Sequence, residues 1–72
     1  MITLNTQLVL SNNIKRLIKE KGLKQKAVAL HCGIDEKVFS NMLCNRQNIR
    51  PENLSLIADA LNVSIDALFK TE

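Results

Sequence analysis

The stretch KQKAVALHCGIDEKVFSNML, residues 24–43, decides how the rest of the chain is read. It divides into two short amphipathic segments. Val28, Ala29 and Cys32 form the apolar set of the first, and Gly33 supplies the residue type on which a helix commonly ends in a left-handed turn. After Ile34, Asp35 is a good N-cap. Phe39, Met42 and Leu43 then repeat at the three- and four-residue spacing of a helix. The small Ala29 lets the second helix cross the first closely. Glu36, Lys37, Ser40 and Asn41 lie between these apolar positions, on the opposite face. Each can hydrogen-bond a base edge, which is what a helix entering the DNA major groove requires.

Around this stretch, 72 residues make one domain, large enough to fold alone but with a limited core. Apolar residues are 46% of the chain, so it is globular rather than disordered. Phe39 and Phe69 are the only aromatic residues, so the core must be aliphatic. No apolar run approaches the length of a membrane span. Residues 1–10 lack the basic start and cleavage site of a signal peptide, so the expected location is cytoplasmic. The net charge of +3 conceals an asymmetry. Residues 11–50 hold nine basic against three acidic side chains, whereas residues 51–72 hold one against four. One face toward a polyanion and another away from it would account for that division.

Residues 1–9 are uncharged and read as an N-terminal extension, either a poorly ordered end or an arm used in self-association. Residues 2–4 could form a short strand, and residues 7–10 could instead be the first turn of a helix capped by Thr6. Helix 1 is expected over about 11–21, with Leu10, Ile14, Leu17 and Ile18 as its apolar stripe and Gly22 as its stop. Helix 2 is expected over about 25–32 and helix 3 over about 36–43. Asn45 suits the left-handed position after helix 3. Residues 45–50 read as a polar loop with two arginines. Pro51 fits the first turn of helix 4, which buries Leu54, Ile57, Ala58 and Leu61. Asn62 ends that helix, Val63 packs back, and Ser64 caps a short helix with Ile65, Leu68 and Phe69 apolar. The expectation is an all-α, compact five-helix fold over residues 10–70.

Residues 10–69, about five-sixths of the chain, resemble the lambda-repressor-like helix-turn-helix family of phage repressors, Cro proteins and XRE-type regulators. The matching residues are Ile14, Leu17 and Gly22-Leu23; Gln25, Val28 and Ala29; Gly33 and Ile34; then Leu54, Ile57-Ala58 and Ala60-Leu61. A helix-turn-helix pattern alone carries little weight, but the closing run VSIDALF, residues 63–69, extends the match over all five helices. The resemblance implies roles by position. Gln25, with Lys24 beside it, would meet a phosphate at the start of helix 2. Lys37 would donate to guanine O6 and N7 and Glu36 accept from cytosine N4, with Ser40 and Asn41 reading further along. Asn45, Arg46, Asn48 and Arg50 would touch the sugar-phosphate backbone and set register without reading sequence.

Three departures from the family stand out. Ile18 and Leu43 occupy places where relatives often carry an Arg and a Glu in a partly buried ion pair. Replacing both partners by apolar residues is often neutral or stabilising, whereas losing one is costly, so the double change argues that Ile18 and Leu43 touch. Lys24 stands where a Ser or Thr usually caps helix 2, and an ammonium cannot accept from an amide. Glu36 places a negative charge at the reading end. It either selects against wrong sites or simply favours the helix N-terminus from solvent.

Other chemistries find little support. His31, Cys32 and Cys44 lack the paired-cysteine spacing of a zinc site, and adjacent His31 and Cys32 point about 100° apart on one helix. Cys32 is expected in the core, Cys44 near the surface, and His31 solvated or near phosphate. No nucleophile, base and orienting group occur together, so no enzyme activity is expected. No cofactor, metal, small-molecule ligand or membrane partner is expected either. Leu30 falls on the outside of helix 2. The reading is therefore a sequence-specific duplex-DNA-binding transcriptional regulator, a repressor, reading the major groove with helix 3. It would act as a homodimer through the helix 4–helix 5 region, with Ile65 and Phe69, or through the N-terminal segment. The alternative is a protein-interaction module or antitoxin of the same fold with weak or no DNA binding.

Overall fold

Leu10, Ile14 and Ile18 recur at four-residue intervals, and all three are buried along one side of a single helix, α1 (Thr6–Glu20). The computed structural model describes residues 6–70, and the other helices are α2 (Gln25–Cys32), α3 (Glu36–Leu43), α4 (Pro51–Leu61) and α5 (Ile65–Leu68). Helix α2 packs against α3 and α4, α1 against α3 and α5, and α4 against α5. The all-α, five-helix architecture expected from the sequence is the one adopted. Val28, Ala29 and Cys32 of α2 join Phe39, Met42 and Leu43 of α3 and Ile57, Ala58 and Leu61 of α4 in one core, closed by Leu68. Each large apolar side chain buried there contributes about 1.5–3 kcal/mol.

The four longer helices end alike. Gly22, Gly33, Asn45 and Asn62 have φ of 67°, 69°, 64° and 58°. In each case the amide of the next residue reaches back five positions: Leu23 to Ile18, Ile34 to Ala29, Arg46 to Asn41 and Val63 to Ala58. These bonds satisfy carbonyls that a helix end otherwise leaves unpaired. In three of the four, the residue making that bond is apolar. After α3 it is Arg46, which is exposed.

Three expectations are corrected. Helix α1 starts at Thr6 rather than near Ser11, in agreement with the alternative in which residues 7–10 begin a helix, and the expected boundary at residue 10 falls inside it. Ser11 lies within the helix and is fully buried. Residues 1–5, read as part of a poorly ordered or self-associating extension with a candidate strand at 2–4, lie outside the described residues. Ser64 precedes α5 with extended backbone, but its side chain makes no capping hydrogen bond. The loop before α4 is not wholly polar, because Ile49 is only 3% exposed and belongs to the core.

Polar side chains of α1 tie distant segments to it. Asn13 is buried, and its Nδ2 donates to the carbonyls of Leu68 (2.7 Å) and Lys70 (2.8 Å). Those carbonyls stand at the end of α5, beyond the reach of its own ladder. Among the described residues no buried side-chain nitrogen or oxygen lacks a partner.

Asn13→Ala should lower stability by about 1–3 kcal/mol, since it strips two carbonyls of a shared donor; thermal melting would measure the loss, and an unchanged midpoint would count against the lock. Leu43→Glu should cost about 3–5 kcal/mol through a lone buried charge. Adding Ile18→Arg should recover part of it, which denaturant titration of the single and double variants would reveal.

Candidate nucleic-acid interface

Gly33 ends α2, and Asp35 starts α3 two residues later. The Asp35 carboxylate accepts from the Lys37 amide at 3.0 Å, and its carbonyl accepts from the Phe39 amide at 2.9 Å. The turn is therefore closed by side chain and backbone together, as Asp at an N-cap allows. Phe39, Met42 and Leu43 face inward and Val38 is half-buried. That leaves Glu36 and Lys37 exposed and Ser40 and Asn41 half-buried, with no hydrogen-bond or ionic partner for these four side chains among the described residues. The set expected to read bases is therefore unencumbered.

Helix α2 begins without a side-chain cap. Lys24 is extended (φ −101°, ψ 137°) and makes no capping bond, as its chemistry requires. Gln25 follows, half-buried, with Lys24 and Lys26 exposed. Lys26, Ala29, Leu30 and Ile34 line a shallow groove with Asp35 and Glu36, which brings the charges of α2 and of the α3 start together.

The backbone-contacting set expected after α3 is arranged unequally. Arg46 and Asn48 are exposed and unpartnered among the described residues. Arg50 lies 3.9 Å from Glu52, both strongly exposed, a contact worth little in water. Asn45 differs, because its Oδ1 lies 3.0 Å from the Ser11 hydroxyl of α1. Residue Ile49 is gripped by Gln7, whose Oε1 accepts from the Ile49 amide (2.6 Å) and whose Nε2 donates to its carbonyl (3.2 Å). Gln7, Ser11 and Ile49 were not among the residues expected to matter. The one usable signal was Ile49 itself, a single β-branched apolar residue in an otherwise polar loop.

The remaining titratable groups lie elsewhere. His31 Nε2 stands 3.1 Å from Asp59 Oδ2, linking α2 to α4 at an exposed surface. Both cysteines are free, Cys32 buried and Cys44 exposed. Burial pushes the Cys32 thiol up, and the Asp59 carboxylate adds to the shift. A thiol so placed is a poor nucleophile. Among the described residues no helix is long and apolar enough to cross a membrane.

A family model described as helix-turn-helix matches residues 14–68. Among solved structures, the chain is similar to a hypothetical transcription factor, NHTF, from Neisseria, with 30% identity and a TM-score of 0.85 over 92% of this chain and 76% of that one. The wild-type restriction-modification controller protein C.Esp1396I shares 28% identity at a TM-score of 0.82, over 93% of this chain and 87% of that one. The controller protein C.AhdI from Aeromonas hydrophila, at 24% identity, shares the fold, with a TM-score of 0.82 over 88% of this chain and 96% of that one. No curated protein matches the chain.

Asp35→Ala should cost about 1 kcal/mol through loss of the α3 cap, and chemical denaturation would register it; a gain or no change would show that the turn closes without the carboxylate.

Proposed function

The chain belongs to the helix-turn-helix family, and from that premise we propose that it is a sequence-specific duplex-DNA-binding transcriptional regulator that represses by covering a promoter. The observation that carries the reading is the outer side of α3. There the side chains of Glu36, Lys37, Ser40 and Asn41 stand unpartnered among the described residues, while Phe39, Met42 and Leu43 hold the helix from within. Lys37 donates to guanine and Glu36 accepts from cytosine, with Asn41 and Ser40 one turn further along the groove. Lys24, Gln25, Arg46, Asn48 and Arg50 contact phosphates and orient the domain without reading bases. The basic excess over residues 11–50 favours the approach to a polyanion.

The regulator works as a homodimer. Ile65 and Phe69 are 43% and 41% exposed, and these apolar side chains near the α4–α5 end suit burial against a second copy. Two α3 helices would then sit about 34 Å apart, one turn of B-DNA, and the operator would be palindromic. The expected site of action is the cytoplasm, with neither cofactor nor chemistry of its own. A second reading, a protein-interaction module, draws on Leu30, which is 80% exposed on α2. Retention of random duplex at low salt with a steep loss at higher salt supports the DNA reading. No retention at low salt supports the module.

Lys37→Ala should weaken specific binding by about 1–3 kcal/mol and relax preference at one base position, whereas Arg46→Ala should weaken all sequences alike. Competition with a set of single-base operator variants separates the two; equal, sequence-blind losses refute the reading role of Lys37. Sedimentation should show a dimer at high concentration or on DNA, and a monomer under both conditions removes the palindrome.

A further inference from the structure

The first two turns of α1 reach toward the segment that follows α3. Gln7 spends both ends of its amide on the backbone of Ile49, accepting at 2.6 Å and donating at 3.2 Å. A primary amide is suited to this, because it offers a donor and an acceptor side by side, the complement of a peptide N–H and C=O. Ser11, fully buried, stands 3.0 Å from Asn45 Oδ1 and 3.1 Å from the Leu8 carbonyl. Its single proton serves one of these at a time. With Asn45 Oδ1 turned to Ser11, the Asn45 NH₂ has no partner among the described residues. Residues 45–50 are thus held near both ends from α1, across sequence separations of 34 and 42 residues. Arg46 and Asn48 lie between the two holds, and Arg50 directly follows the second.

We propose that Gln7 and Ser11 are positioning residues for duplex binding. They set residues 45–50 in advance, so that Arg46, Asn48 and Arg50 meet phosphates as a preformed group and the Asn45 NH₂ adds a further donor. The inference rests on the DNA-binding reading above. Its ground is preorganisation: a loop ordered on folding does not have to be ordered again on binding. The hold at Ile49 serves this purpose because Ile49 alone anchors the loop in the core, and an apolar anchor without its backbone bonds would leave buried polar groups unpaired.

The test uses the full chain and a labelled duplex of random sequence, at low salt and well below the melting temperature. Gln7→Ala should weaken binding by about tenfold, the worth of one or two hydrogen bonds. In an Arg46→Ala/Arg50→Ala background the same substitution should have a clearly smaller effect, because the two charged contacts it positions are gone and only Asn45 and Asn48 remain. The Ile49 amide should exchange faster in Gln7→Ala while the amides of α4 keep their protection. Ser11→Ala, nearly isosteric, should give a smaller loss with the same non-additivity, and it carries the test should Gln7→Ala fail to fold. Unchanged affinity, or an equal loss in both backgrounds, overturns the positioning role in a protein that binds DNA. Wild-type protein retained by no duplex overturns the functional reading before any variant is made, and this inference with it.

Discussion

The rotational setting of α3 depends on Phe39. That ring has no exposure at all, and Met42 and Leu43 one turn on are buried beside it. With about 100° between successive residues, fixing Phe39 inward puts Lys37 and Asn41 on the far side, with Glu36 and Ser40 at the margins. The polar residues of α3 therefore need no partners of their own to be held in place; their direction is inherited from the apolar ones. The small Ala29 of α2, 1% exposed, belongs to the same core, and α2 packs against α3. Close packing of this kind makes the outward geometry stiff, since a rotation of α3 would open voids along its whole inner side.

A second regularity is the shared ending of the four longer helices. Two glycines and two asparagines take the left-handed conformation, and each is followed by a backbone bond to a carbonyl five residues back. Leu23, Ile34 and Val63 follow three of these turns; Ile34 and Val63 pack half-buried against the core, while Leu23 keeps 39% of its surface exposed. Arg46 departs from them by pointing a charged side chain out where the others carry an apolar one. The departure occurs beside α3, whose outer side is polar and, among the described residues, unpartnered. The backbone device is common to all four, and the side chain placed on it differs according to what that end of the helix faces.

The helices were legible because their signals are local. Apolar spacing marked α1 to α4, and Gly22, Gly33, Asn45 and Asn62 marked their ends. Asp35 marked the start of α3 and Pro51 that of α4. Lys24 was rightly read as a start without a cap. The outward residues of α3 followed from the same periodicity, since the exposed side of a helix is whatever its apolar positions leave over. What escaped was the polar work of α1. Gln7, Ser11 and Asn13 look like ordinary surface or capping residues until their partners are known, and those partners lie dozens of positions away. Ser11 in particular fell at the expected start of helix 1, whereas its hydroxyl is buried in mid-helix. Ile49 escaped for a related reason: one apolar residue in a loop has no periodicity to reveal it.

The bonds made by α1 carry a consequence for the order of events during synthesis. Its polar side chains reach partners 34, 42, 55 and 57 residues downstream. A chain emerging from the ribosome thus delivers α1 long before anything exists for Asn13 to grip, and only the arrival of residues 68–70 completes that grip. Non-local closure of this sort slows a fold otherwise dominated by short-range helical contacts. It also leaves the buried amide of Asn13 waiting on residues 68–70, a late contact for a helix whose own turns close on near neighbours.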